Sequence, residues 1–462
     1  MADRGTKALM PYDPAYDPLV MDDPGQGKEY APTYWVATAG DTPEDDGPVT
    51  DNIDVDVAVI GSGFTGLSTA IHLARDHGIK PVVLEANRTV WGCTSRNGGQ
   101  AQNASGRLTR SQWIKRWGLD VAKRMHAEIE EGFDVFRDMI RGIDCLPQRG
   151  GHIYVAHKPS VMPKLTAEAE LLTNTFGYPC KMVTAEALKA DYLDENGAAG
   201  ALIEPSGIGI HPLKLAFGYI ERARKLGVKI HPASPVIHWE PHYGMHRLRT
   251  PGGWVRARAV AVATGGYTSS PLNPLVRKRY MPVLSNSLVT RPLTDSELEA
   301  CGFRTRLVIT DTRVLRHYYR LMSDNRVQIG SRSAITGADA SNPKHLDLLI
   351  HDGLYRKFPA LKGIDIDYDW WGWVDVSHDM MPRIFRPHPE QNIAYAFGYG
   401  GNGVMYSTQA GRRMAQIVAG REDEVPDLPI FSSPLPTHPL APFRRMGQWM
   451  LYRWYAFSDD YL

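Results

Sequence analysis

The sequence is poor in the features that most readily mark specialised chemistry. Among 462 residues only four are cysteine (Cys93, Cys145, Cys180 and Cys301), and no two stand as a C-x-x-C pair. That argues against a disulfide framework or a structural zinc site and suits a reducing, cytoplasmic setting. No metal-ligand cluster is evident either. Charge of one sign is missing: 52 Lys and Arg stand against 51 Asp and Glu, a formal net charge of +1, so there is no basic footprint for a nucleic acid. Nothing approaches the ~18 apolar residues of a transmembrane segment. The opening MADRGTKALMPYDPAYDPLV has no apolar core of the secretory kind. Internal repeats are absent.

What is present is a soluble composition, 43% hydrophobic and 22% charged, at a length that calls for two domains. Residues 1–50, rich in Pro, Asp and Gly, read as an arm lying over a domain. Residues 423–462 pass through a proline-rich stretch into FRRMGQWMLYRWYAFSDDYL, which reads as a helix packed back on the body. Its aromatic and basic mixture is also that of a membrane-surface helix.

The strongest local signal is VDVAVI at 55–60, a buried strand by its β-branched run, followed at once by Gly61, Gly63 and Gly66 and then by apolar residues at helical spacing. Gly61 allows the tight turn. Gly63, with Phe64 and Thr65 behind it, lets the backbone approach a pyrophosphate, and Gly66 lets helix and strand pack closely. The helix start offers bare N–H groups to phosphate. PVVLEA at 81–86 is the next strand and ends on Glu85 and Ala86, at the roughly 20-residue interval of a ribose-binding acid.

A nicotinamide domain would continue with another helix. Here WGCTSRNGGQAQNASG at 91–106 stays irregular and polar, as if wrapping a longer ligand. Its backbone N–H groups, Ser95 and Arg96 are placed to reach a second phosphate or a flavin ring. RARAVAVATGGYTS at 256–269 ends a strand on Thr264 and Gly265. NIAYAFGYGGNGVMYSTQAGRRMAQIVAG at 392–420 gives strand, glycine turn and helix. Gly400, Gly401 and Gly403 there present N–H groups to something that gains negative charge, such as a reduced flavin carbonyl. The run from Leu119 to Ile140 carries Ala122, Met125, Ile129, Phe133, Phe136 and Ile140 at the spacing of one buried helix face.

These pieces, together with Tyr34-Trp35, GIGIHPLKLAFGYIERARKLGVKI, YYRLMSDNRVQIGS and WWGWVDVSHDMMPRI, resemble the D-amino-acid-oxidase-like FAD oxidoreductases, and most of all the γ-glutamylputrescine oxidase branch. The resemblance implies an α/β plus α+β architecture. A discontinuous Rossmann-like FAD-binding domain (51–108, 200–270, 375–422) would be joined to a substrate domain with a large, mostly antiparallel sheet (109–199, 271–374). Cofactor contacts would fall on Gly61, Gly63, Phe64, Thr65, Gly66, Glu85, Ala86, Thr94, Ser95, Arg96, Asn97, Gly98, Gly99, Gln100, Val236, Thr264, Gly265, Gly401, Asn402, Gly403 and Val404.

The implied reaction moves a hydride from a C–H beside an amine nitrogen to flavin N5 and leaves an imine, with O2 or an electron carrier taking the electrons. The cofactor carries the hard chemistry. Relatives that anchor FAD covalently use a His where this chain has Arg96, or a Cys in the segment matching WWGWVDVSHDMMPRI, which has none; non-covalent FAD is therefore expected. Cys93 is displaced from the matching position. The lysine that helps oxygen accept an electron in sarcosine-oxidase-like members aligns with Gln328, which leaves a dehydrogenase open. Where such members keep a carboxylate-binding Arg, Gly98 and Gly99 stand; Arg320 and Arg332 are alternative clamps. Among Tyr318, Tyr319, Trp370, Trp371 and Trp373, strand alternation lets only every second one face a flavin, and Tyr319 and Trp371 are the expected pocket aromatics. His317 and His378 are read as structural. A flavin monooxygenase would need a later Gly-Asp motif, absent from 392–420; a non-catalytic FAD-binding protein is the remaining alternative.

Overall fold

Ile53–Ile60 forms the strand expected of its composition, half-exposed in alternation at its start and buried at every position from Val57 to Ile60. That change marks where the strand passes under covering helices. Its neighbours on either side, Gly253–Val262 and Val82–Leu84, run parallel to it. The computed structural model describes residues 16–461 except 22, 243, 269–275, 277 and 389. Residues 1–15 of the expected arm and Leu462 of the expected tail lie outside the described residues.

The sheet continues through Lys229–His231 beyond Val82–Leu84. Ile393–Phe397 lies parallel against the C-terminal half of Gly253–Val262. An antiparallel hairpin, His238–His242 with Met245–Thr250, pairs with the other half of that strand. Two helices lie on this sheet and on each other. Phe64–His77 follows the first glycine turn and Gly403–Val418 the last. They meet so closely that a Cβ on Gly411 would fall 2.6 Å from the Cβ of Ser68.

A second eight-stranded sheet runs in the order Ile366–Ser377, Tyr280–Thr290, Val327–Ser331, Tyr318–Leu321, Val308–Asp311, His152–Ala156, Gly200–Glu204, Lys181–Thr184. All its pairings are antiparallel except Val308–Asp311 with His152–Ala156. One face packs on its own core of Leu288, Ile309, Tyr319, Ile329 and Phe358; the other faces the glycine turns.

The long helix forms at Leu119–Met139 and buries Ala122, Met125, Ile129, Phe133 and Phe136. That face packs against the helix Gly403–Val418 of the first sheet, whereas the resemblance implied a place in the substrate domain with the second sheet, which forms the roof over the glycine turns. Gly132 lets Gln409 of the helix Gly403–Val418 approach to 3.0 Å of a built Cβ. Arg413 donates to the buried Glu128 carboxylate at 2.6 Å. A buried pair of this kind is costly to break from one side only.

Candidate functional site

Three glycine turns and the N-terminal arm enclose a cavity of about 440 Å³, lined among others by Gly61, Gly63, Glu85, Thr94, Gly265, Tyr399 and Gly403. That size is ordinary for a cofactor site. The first turn has no room for side chains. Gly61 sits at φ +99°, and a Cβ on it would lie 2.7 Å from the Ala263 carbonyl oxygen; one on Gly66 would lie 1.9 Å from that of Gly61. Gly63 caps the helix Phe64–His77 without a side-chain hydrogen bond, which leaves the positive helix end to a ligand. Thr94 accepts from the Phe64 N–H at 3.0 Å.

Glu85 does more than wait for a ribose. Its carboxylate accepts from the Ser62 N–H and hydroxyl at 3.0 and 2.7 Å and from the Asn87 N–H at 3.1 Å. It therefore buttresses the turn, and about one of a carboxylate's four acceptor positions is left for a hydroxyl. Phe64, Thr65, Ala86, Asn97, Val236, Thr264, Gly401 and Val404 also line the cavity. The donor set, the glycine cradle and the positive end of the helix Phe64–His77 fit an extended dinucleotide.

Several expected contacts point elsewhere. Ser95 is fully buried with its hydroxyl turned back to the Trp91 carbonyl at 2.9 Å. The Arg96 guanidinium donates to the Tyr267 hydroxyl at 3.0 Å and lies over the Trp91 ring at 4.2 Å. Neither side chain lines the cavity: aromatic packing claims the cation. Asn402 donates to the Gly106 carbonyl, so it braces the last turn. Asn97 staples the middle turn, accepting from Gly99 N–H at 2.8 Å and donating to the Thr94 carbonyl at 2.9 Å.

Gly98 and Gly99 pass beneath the roof sheet. A Cβ on Gly98 would meet the Tyr318 ring at 2.6 Å, and one on Gly99, at φ +64°, would lie 2.8 Å from Arg320 Nη2. Gln100 donates to the Tyr319 carbonyl at 3.1 Å. Register fixes which roof residues share this face. Tyr318 opposes Gly330 and Arg320 opposes Gln328; Ser287 joins Gly330 to Trp370.

The pocket aromatics chosen from the sequence are therefore corrected. Tyr319 points away, its hydroxyl donating to Glu195 in the roof's own core. Trp371 is on that same far face, 6.2 Å from the His345 ring. Alternation was the right rule applied in the wrong phase; Tyr318 and Trp370 face the glycine turn. Tyr318 shares hydrogen bonds with Ser285 and Ser287 hydroxyls at 3.1 and 2.9 Å, and burial raises its pKa.

Arg320 is not an open clamp. It donates to Gln148 Oε1 at 2.7 Å and to the Ile210 carbonyl at 2.6 Å, and burial pulls its pKa down to about 10. Arg332 donates to the Val314 carbonyl at 2.9 Å. Gln328 is fully buried on the glycine-turn face; its Nε2 reaches Ser287 Oγ at 3.5 Å, and its Oε1 has no hydrogen-bond partner among the described residues.

His317 lies against Asp311 at 3.1 Å. Burial alone would raise the Asp311 carboxyl, but Lys357, His317 and Arg313 hold it well below the usual carboxylate range. This network belongs to the roof core. The His378 ring packs on that of His438 at 4.8 Å.

Several lining residues were not among those expected from the sequence, among them Asp23 and Pro24 of the arm, and Asp375 and Tyr399. Pro24 is held by Asn87, which donates to its carbonyl at 3.0 Å. Tyr399 shares a hydrogen bond with Thr65 at 2.9 Å. Asp375 accepts from the Gly398 N–H, and burial raises its pKa to about 6.

Comparison with known proteins gives matching results from sequence and structure. The sequence model of the DAO family, FAD dependent oxidoreductase, matches residues 56–417. The γ-glutamylputrescine oxidoreductase of Escherichia coli (strain K12) is 32% identical over 424 residues, 91% of this chain and 97% of that protein. Among solved structures, glycine oxidase from Geobacillus kaustophilus superposes with a TM-score of 0.67 at 21% identity, covering 83% of this chain and 99% of that one. L-proline dehydrogenase from P. horikoshii gives 0.66 at 18%, covering 83% and 96%. The last two likenesses speak for the fold.

Proposed function

This chain belongs to the DAO family of FAD-dependent oxidoreductases, enzymes of amines and amino acids, and on that premise we propose that it oxidises the C–N bond of a γ-glutamylputrescine-like amine to an imine, with O2 as acceptor and H2O2 as product. FAD supplies the two-electron oxidation of the C–H beside nitrogen. The residues forming the three glycine turns hold FAD, and Tyr318, Gln328 and Trp370 roof the space where the amine is positioned. The assignment of residues 51–108, 200–270 and 375–422 to the FAD-binding domain is part of this reading, with the long helix moved to it.

One observation carries the substrate class. Both candidate guanidinium clamps, Arg320 and Arg332, are spent on neutral oxygens, so the roof favours an amine without an adjacent carboxylate over an α-amino acid. FAD would be held without a covalent bond: burial pushes the Cys93 thiol on the cavity wall up to about 12, with Asp375 adding to the effect, and thiolate is the nucleophile. Acid precipitation should leave the yellow colour in the supernatant.

A second reading, a dehydrogenase passing electrons to a quinone or carrier, is favoured by the neutral Gln328 on the glycine-turn face. Anaerobic mixing with polyamines, γ-glutamylated amines, N-methyl amino acids and D-amino acids decides the substrate by flavin bleaching. Admission of air then decides the acceptor. Prompt recolouring with H2O2 supports the oxidase; slow recolouring rescued by a quinone supports the dehydrogenase. Bleaching by D-amino acids alone would overturn the substrate class.

A further inference from the structure

The helix Arg444–Tyr461 is amphipathic the wrong way round. Its buried residues are Gln448 and Asp459, and polar contacts tie both ends to the body. Arg445 donates to Asp17 at 2.6 Å and to the Pro282 carbonyl at 2.8 Å. The Asp459 carboxylate accepts from the Val314 and Leu315 N–H groups at 2.9 and 3.0 Å. Outward, Met446, Trp449, Met450, Trp454, Phe457 and Tyr461 stand 47% to 76% exposed. They recur at helical spacing as one stripe. No described residue covers it, and the helix lies beyond Ile417, where the family match ends.

Charge identifies the occupant. Arg453 sits within the stripe, its guanidinium 4.1 Å over the Trp449 ring. The helix has two carboxylates and both are taken: Asp459 as above, and Asp460 by Arg356 at 2.8 Å. Two copies joined stripe to stripe would bring cations together with no carboxylate of the helix between them. An aromatic and thioether face that carries Arg453 and no free carboxylate matches instead the headgroup zone of a negatively charged bilayer.

We propose that this helix docks the enzyme on an anionic lipid surface, lying in the plane of the headgroups. The contact is peripheral, since no helix among the described residues is long and apolar enough to cross a membrane. It stands apart from the substrate and acceptor assigned above.

Flotation of the FAD-loaded protein with vesicles tests it. The enzyme should float with phosphatidylcholine–phosphatidylglycerol vesicles, with a blue shift of tryptophan emission, and much less with phosphatidylcholine alone. Arg453→Gln should weaken binding about fivefold, and the double variant Trp449→Ser, Trp454→Ser should abolish it. Both variants should keep bound FAD and dye-linked turnover, which reports that they fold. Absence of flotation with either vesicle overturns the proposal. So does a wild-type dimer in light scattering that the tryptophan variant converts to monomer, because the stripe would then be a self-association surface.

Discussion

The Tyr318 ring occupies the space that a side chain on Gly98 would need, 2.6 Å from the position of a built Cβ. Gly330 leaves room for the same residue, since a Cβ there would lie 2.3 Å from the Tyr318 hydroxyl. Two glycines from separate segments thus make one slot for one phenol. Gly98→Ala should cost about 1–3 kcal/mol by overpacking, seen as a lower melting temperature and weaker FAD retention. Adding Tyr318→Ser, which empties the slot, should recover part of that loss. Equal losses in single and double variants would show that the ring does not set the constraint.

Gly66 is the harsher case, because a Cβ there would fall 1.9 Å from a backbone oxygen, which no side-chain rotation relieves. Gly66→Ala should yield protein that purifies without colour and takes up little added FAD in absorbance titration. Stoichiometric uptake would refute the close helix–strand packing described above.

Asp375 makes the cofactor-free protein sensitive to pH. Its carboxyl stands at about 6 in the fold against about 3.9 in an unfolded chain. Below pH ~4 both states are protonated and the contribution is fully present. As pH rises through 6 the folded state gives up a proton it held more tightly, and roughly 3 kcal/mol is lost. Asp375→Asn keeps an oxygen for the Gly398 N–H and cannot titrate. Melting temperatures of stripped wild type and variant, measured from acid to neutral pH, should diverge, the variant being the more stable at neutrality. Parallel curves would remove Asp375 as the source.

Gln328→Lys tests the acceptor from within the roof. A cation placed on the glycine-turn face should speed the reaction of the reduced enzyme with O2 by about tenfold or more, equivalent to ~1.4 kcal/mol of barrier. Stopped-flow mixing of photoreduced protein with aerated buffer measures it, without any amine present. An unchanged rate would place Gln328 outside the oxygen-reactive zone.

The glycine turns were legible because their constraint is local. Gly61, Gly63 and Gly66 are demanded by a strand, a turn and a helix that adjoin in sequence, and a single reading frame contains all three. The phase of the roof was not. In YYRL both faces of the strand are buried, so hydrophobic pattern does not separate Tyr318 from Tyr319. Only pairing with Gln328 and Gly330, supplied by a partner strand, does so. Ser95 and Arg96 were misplaced for a related reason: Trp91 and Tyr267, which draw them aside, come from both near and far in the chain. The arm gave no signal for Pro24, because its place depends on Asn87, 63 residues further along the chain.

The cavity takes its walls from residues as far apart in sequence as Asp23 and Ser407. A ribosome must therefore deliver everything from Asp23 to Ser407 before any complete grip on the dinucleotide exists. Flavin capture is consequently a closing event of biogenesis, and the strand-and-helix scaffold has to assemble on its own energetics before the prosthetic group can reinforce it.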